Sequence, residues 1–335
     1  MTNASPHDQL MQMICGYQVS QIVLTVGELG LPDLLKQGPT SVEDLAQACS
    51  ANPDRLYRLL RAAASLGVFT ETEPRVFAAT PLSEILQSDH PTSLQPLTLM
   101  MGSEHYAAWG RLRRAVQSNE NEFEQEFGLP FFDYLSQHPE SAAIFDAAMT
   151  SIHGRETAAI LEAYDFSQFG LIADVGGGNG SKLIALLTKH PQVRGMLVDL
   201  PHVVERAAPN FVAAGVNERM TLIGGDFFVE VPSGADAYMM RHIIHDWDDE
   251  KSTLILKNCR AAMQPGQKLL LVEYVIPSGD EPFFGKLLDL TMMLIPGGKE
   301  RTEAEYRDLV AGCGFQLQRV IRTDQPISIL ESTAI

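Results

Sequence analysis

After Asp165 the hydrophobic pattern changes period, and this limits the fold of the 335-residue chain more than any other feature. Short apolar runs at 171–175, 195–200, 220–223, 237–244 and 268–276 alternate with helical segments. Such runs suit strands buried on both faces, and parallel neighbours need helical crossovers between them. The last two runs, 315–322 and 327–332, are joined by Thr323-Asp324-Gln325-Pro326 alone. That link is too short for a crossover, so the pair should be antiparallel. The expected fold class is α/β: a Rossmann-like sheet closed by an antiparallel final strand pair.

The first hundred residues read differently. Leu10, Met13, Ile14 and Tyr17 follow helical spacing on one face. Thr40 and Glu43 have capping-box spacing. A further helix opens at Asn52-Pro53, carries Leu56, Leu59, Leu60 and Ala63, and stops at Gly67. A two-stranded pattern around Glu73-Pro74 and a helix over 81–87 complete an all-helical, winged-helix-type module. Between Thr40 and His90 it holds four basic and seven acidic residues. That balance favours packing or dimerisation over DNA binding. Three domains are expected: 1–100, a winged-helix dimerisation domain; 101–165, a helical connector contributing to a substrate pocket; and 166–335, the sheet.

A net charge of −17 repels phosphate backbones and anionic lipid, so neither nucleic acid nor membrane is an expected partner. No run is long and apolar enough to span a bilayer, and Met1 to Asp8 lacks signal-peptide character. Cys15, Cys49, Cys259 and Cys313 show no metal or redox spacing and read as reduced core residues of a cytoplasmic protein.

The chemistry concentrates at the strand ends. Asp174-Val175-Gly176-Gly177-Gly178-Asn179-Gly180 follows the first strand and opens a helix, where glycines admit a ligand to the backbone. Its G-x-G-x-G spacing departs from the G-x-G-x-x-G of dinucleotide binders. Asp199 ends the second strand, where a carboxylate can accept both ribose hydroxyls. Asp226 and Phe227 end the third, suited to an adenine amine and ring. The fourth runs into Arg241-His242-Ile243-Ile244-His245-Asp246-Trp247, where a histidine can serve as general base. His242 and His245 could suggest a metal, but in an extended strand residues three apart face opposite ways, so no metal site is expected.

These motifs, with Asp199-Leu200-Pro201-His202-Val203 and Pro296-Gly297-Gly298-Lys299-Glu300-Arg301-Thr302, resemble the class I S-adenosylmethionine-dependent small-molecule O-methyltransferases. Plant caffeic acid enzymes and bacterial antibiotic-biosynthesis enzymes belong to that group, and the likeness covers nearly the whole chain. It implies a cofactor site of Asp174, Gly176, Gly178, Gly180, Asp199, Leu200, Asp226, Phe227 and Arg241, the last where the family often has lysine. S-adenosyl-L-methionine would be the donor and S-adenosyl-L-homocysteine the product. His245 matches the base, flanked by Glu273 and Glu300. Trp109, Phe132, Phe145, Met149, Ile152, Met292, Met293 and Ile295 are expected to form the substrate wall, and a homodimer is implied. Ile152 and Ile295 replace polar residues of the plant enzymes, pointing away from a lignin precursor.

The expected function is methyl transfer to a hydroxyl of an aromatic or polyketide-like metabolite. Alternatives are decarboxylation or hydroxylation on the same fold, or a cofactor-sensing winged-helix regulator.

Overall fold

The computed structural model describes residues 5–335. The chain forms two compact units: residues up to Ala107 with Leu135–Ile152, and Ala108–Tyr134 with His153–Ile335. The 101–165 segment is thus shared between the two, and its helix Pro139–Ala163 contributes to both.

In the first unit, Pro6–Ile14 and Gly16–Glu28 are separate helices broken at Cys15. Leu10, Met13, Ile14 and Tyr17 are largely exposed, Met13 at 75%. The winged-helix portion packs Val42–Ala48 and Pro53–Ser65 against a sheet ordered 40–41, 76–79, 69–73. Leu45, Leu56, Leu60, Phe69 and Phe77 fill its core. Asn52 caps its helix as expected, accepting from the Arg55 N–H at 3.1 Å. The preceding cap is Ser41, which accepts from the Asp44 N–H, and not Thr40. Thr40 is instead drawn into the sheet opposite Phe77. The helix near residue 81 covers only Pro81–Glu84.

The second unit is built on an eight-stranded sheet, its strands numbered here in chain order. They are β1 Leu171–Val175, β2 Arg194–Asp199, β3 Met220–Gly224, β4 Ala237–Arg241, β5 Lys268–Ile276, β6 Arg301–Thr302, β7 Phe315–Arg322 and β8 Ile327–Ala334. The order is β7-β8-β5-β4-β1-β2-β3, with β6 beside the end of β5. β8 runs antiparallel to both β5 and β7, as the short 323–326 link requires. The other pairs are parallel. Successive side chains alternate between two cores: Ala173, Val175, Tyr238, Met240, Leu269 and Leu271 on one face, Ile172, Met239, Leu270 and Val272 on the other.

The fourth strand is shorter than its apolar run suggested. It stops at Arg241 because His242 takes φ +53°, and Ile244–Asp246 form a 3₁₀ turn. Cys259 and Cys313 are buried, whereas Cys15 and Cys49 are only partly so; all four are free thiols.

Candidate active site

The turn after β1 is held by backbone conformations that favour glycine. Gly176 has φ +70°, and a Cβ there would lie 2.4 Å from Ile243 Cδ1. Gly178 has φ +59°, and the space beside its Cα is open for 4 Å. Its N–H donates to Asp199 Oδ2 at 2.8 Å, while Leu200 N–H donates to Asp199 Oδ1 at 2.7 Å. Glycine turn and second-strand carboxylate therefore form one unit. Burial pushes the Asp199 carboxyl above its ordinary value, although both backbone donors oppose this. Leu200 itself is 41% exposed.

At the next strand end, Gly225 N–H donates to the Asp199 carbonyl, and Asp226 Oδ1 accepts from Phe228 N–H at 2.8 Å. Asn258 fixes the Phe227 carbonyl at 2.9 Å. The rings of Phe227, Phe228 and Trp247 pack edge to face, and Phe132 lies 5.6 Å from Trp247.

Asp174 lies behind the turn. It is fully buried, ion-paired at 2.7 Å with the buried Lys182, and a Cβ on Gly177 would meet it at 2.9 Å. Arg241 Nη1 donates to Thr157 Oγ1 at 2.8 Å.

His245 is buried, and its Nδ1 lies 2.7 Å from Glu300 Oε1. In the neutral ring, with Nδ1–H donating to that carboxylate, Nε2 keeps a lone pair; Asp246 Oδ1 is 3.5 Å from it. Burial alone would pull this imidazole down, but Glu300, Asp246 and Glu273 outweigh it and hold it at about 10. The two expected carboxylates differ in position. Glu300 bonds the ring, whereas Glu273 Oε2 is 3.9 Å away and Oε1 accepts from the N–H groups of Ile243 and Ile244. Burial lifts Glu273 to about 7 and Asp246 to about 6.

The 296–302 segment clamps this turn from outside. A Cβ on Gly298 would fall 2.0 Å from the His245 carbonyl oxygen, so only glycine fits. Lys299 N–H donates to that oxygen at 2.9 Å. Arg301, fully buried, donates to the carbonyls of Ile244 and Trp247 at 3.0 Å and to Asp249 at 2.8 Å. Arg301 had no role in the sequence reading. Its place directly after Glu300 in the 296–302 segment was its only sign.

Glu156 and Tyr274 were also missed, and His242 had been set aside as a ligand. Glu156 pairs with His242 Nε2 at 3.0 Å and accepts from the Tyr274 hydroxyl at 2.6 Å. The rings of His242 and His245 are neighbours, 4.9 Å apart. The premise that they face opposite ways is overturned, because the backbone turns at His242 instead of staying extended.

The residues of the expected substrate wall are divided between the two units. Trp109 and Phe132 are half-buried in the second unit; Met292 and Ile295 are buried there, and the Ile295 carbonyl accepts from Asn121. Phe145, Met149 and Ile152 belong to the first unit.

A glycine turn beside carboxylates at two successive strand ends, with a histidine–carboxylate pair at the next, defines a nucleoside-cofactor transferase. The chain belongs to the S-adenosylmethionine-dependent O-methyltransferase family: the O-methyltransferase domain matches residues 109–316 and the O-methyltransferase dimerisation domain residues 11–89. It is 45% identical over 326 residues to phenazine O-methyltransferase PhzM of Lysobacter antibioticus, covering 97% of this chain and 96% of that one. The crystal structure of LaPhzM matches with a TM-score of 0.95 at 44% identity, over 99% of this chain and 100% of that chain. NcsB1, an O-methyltransferase from neocarzinostatin biosynthesis solved with S-adenosylmethionine and 2-hydroxy-5-methyl naphthoic acid, matches with a TM-score of 0.85. Its identity is 30%, over 95% of this chain and 96% of that chain. The protein is an enzyme, an O-methyltransferase using S-adenosylmethionine.

Proposed function

We propose that the enzyme methylates a hydroxyl of a small aromatic or polyketide-like metabolite, with His245 as general base, and acts as a cytoplasmic homodimer. The observation that carries the role of His245 is its 2.7 Å contact with Glu300, which leaves Nε2 free to accept a proton. Retention of this pair favours methyl transfer over decarboxylation or hydroxylation.

The residues present fit the cofactor. The open space at Gly178 gives room for the methionine portion beside the turn. Asp199 retains lone pairs for two ribose hydroxyls after accepting from Gly178 and Leu200. Asp226 and Phe227 suit the adenine, and Arg241 ends the neighbouring strand. When bound, S-adenosylmethionine supplies an activated sulfonium methyl. The protein's remaining tasks are to align the acceptor oxygen and remove its proton. His245 Nε2 would take that proton as the acceptor oxygen is methylated, and Glu300 would stabilise the imidazolium. The carboxylates around His245 raise its basicity, which favours uptake of the proton from a phenol.

The dimerisation domain and the exposed Leu10, Met13, Ile14 and Tyr17 support a homodimer. The net charge of −17 disfavours nucleic acid, and Arg75 of the winged-helix module is tied to Glu43 at 2.7 Å. Among the described residues no helix is long and apolar enough to cross a membrane.

The test is transfer of labelled methyl from S-adenosylmethionine to a panel of phenols and aromatic polyketides, with chelator present. His245→Ala should lower turnover by roughly two to four orders of magnitude while cofactor affinity is retained. Full activity in the variant would remove His245 as the base.

A further inference from the structure

Behind the His245–Glu300 pair lies a second arrangement that the methyl-transfer chemistry leaves unused. Glu156 accepts from the Tyr274 hydroxyl and pairs with His242 Nε2. With a carboxylate oxygen 3.0 Å from Nε2, that nitrogen carries the proton of the neutral ring, and the remaining lone pair is on Nδ1. That atom is buried and has no hydrogen-bond partner. It faces Glu273 Oε2 at 3.8 Å, and Glu273 Oε2 is also buried and unpartnered. Two acceptors facing each other in a site closed to bulk water repel unless a cation or proton lies between them.

The third member is His245, whose Nδ1 is 3.9 Å from the same Glu273 oxygen. One ligand atom from each of His242, His245 and Glu273 lies within 4.8 Å of the others, and all three residues are buried. In a tetrahedral zinc site with bonds of about 2.0–2.2 Å, neighbouring ligand atoms are roughly 3.3–3.5 Å apart; the Glu273 oxygen stands 3.8 and 3.9 Å from the two ring nitrogens and all three atoms lie within 4.8 Å, so the side chains must draw together to close the set. His153, Glu156 and His242 form a competing group, but there Glu156 is engaged by Tyr274 and His242. The surrounding charge also favours a dication. Glu156, Glu273, Glu300 and Asp246 are four carboxylates in this cluster, against three buried cations around it, Arg241, Lys182 and Arg301.

We propose that His242 Nδ1, Glu273 Oε2 and His245 Nδ1 form a buried binding site for a borderline-soft divalent transition metal such as zinc, whose occupation switches the methyltransferase off. Two imidazole nitrogens and one carboxylate oxygen select such an ion over magnesium or calcium. The Glu156–His242 contact is the carboxylate support that metal-bound histidines commonly have. Metal enters by exchange: the proton shared between His245 Nδ1 and Glu300 leaves to solvent, and the nitrogen lone pair goes to the metal. Binding therefore tightens as pH rises. The inhibition rests on His245 being the base, since a metal on its ring lowers the basicity of Nε2; the binding itself does not.

The experiment titrates the untagged, chelator-stripped enzyme with Co²⁺, followed by visible absorption, and with Zn²⁺, followed by calorimetry. One equivalent should bind, with the intense d–d bands of a tetrahedral N,N,O site, more tightly at pH 8 than at pH 6. Glu156→Gln should weaken binding by about 10–100-fold. His242→Asn, which tolerates the left-handed backbone, and Glu273→Gln should each abolish the bands. Retained S-adenosylhomocysteine binding certifies that each variant is folded. In the wild type, Zn²⁺ should inhibit and chelator should restore activity. Absence of stoichiometric Co²⁺ binding, or binding unchanged by both His242→Asn and Glu273→Gln, overturns the site. Binding with the expected variant losses but without inhibition keeps the site and counts instead against His245 as the base and against the off-switch.

Discussion

Replacing Glu300 by Gln removes a charge while keeping an oxygen that can accept from His245 Nδ1–H, so it isolates the electrostatic part of the 2.7 Å contact. A hydrogen bond to a charged partner contributes about 1.5–3 kcal/mol, and one pKa unit corresponds to about 1.4 kcal/mol. The imidazole should fall by roughly one to two units. Asp246 at 3.5 Å and Glu273 at 3.9 Å would still hold it partly up. His245 must be neutral to accept a proton, and in the wild type it is held at about 10, so kcat/KM should rise with pH through the neutral range. In Glu300→Gln the acidic limb should move down by about one to two pH units, while the plateau falls roughly 10–100-fold because the imidazolium is less stabilised. The deficit of the variant should therefore shrink toward low pH. The assay is the pH dependence of kcat/KM with saturating cofactor. An acidic limb that stays in place or moves upward would refute the assignment of Glu300 as the residue that sets the basicity of His245.

The same cluster predicts the pH dependence of stability. His245, Glu273 and Asp246 are all raised in the folded state, so each contributes stability that is complete below its unfolded value and lost as pH rises through its folded one. The contribution of this cluster to urea midpoints should decline from about pH 4 toward pH 10, the carboxylates acting up to about pH 7 and His245 above that, and Glu300→Gln should flatten the upper part. Asp199→Ala should weaken S-adenosylhomocysteine binding at least about tenfold by calorimetry, since ribose and Gly178 both lose an acceptor; unchanged affinity would detach the second strand from the ribose. Gly298→Ala must push a methyl group into the His245 carbonyl, and should cost about 1–3 kcal/mol or more in urea unfolding along with most turnover. Leu10→Glu combined with Met13→Glu should yield monomers in sedimentation velocity, these side chains being 58% and 75% exposed in the single chain.

The sheet was legible because its strands are short apolar runs, and because the four-residue link at 323–326 permits only an antiparallel pair. The carboxylates at strand ends were legible for the same reason: a strand end is where its side chains meet a cleft. What escaped depends on contacts across long sequence separations. Glu156 reaches His242 from 86 residues away, on a helix whose own pattern gives no hint of a buried acid. The turn at His242 was invisible because Met240 to Ile244 reads as one apolar strand, and nothing local marks a histidine that adopts positive φ. Thr40 and Ser41 are equally good caps in isolation, and pairing of Thr40 with Phe77 decides between them.

The clamp on the His245 turn has a thermal consequence. Gly298, Lys299 and Arg301 grip that turn through its backbone carbonyls, whereas the glycine turn and Asp199 are braced within β1 and β2. Heating that loosens 296–302 would release the imidazole while the nucleoside-binding strand ends stay assembled. The enzyme would then pass through a state that still captures its cofactor but no longer turns it over, so catalysis would fail at a lower temperature than cofactor binding.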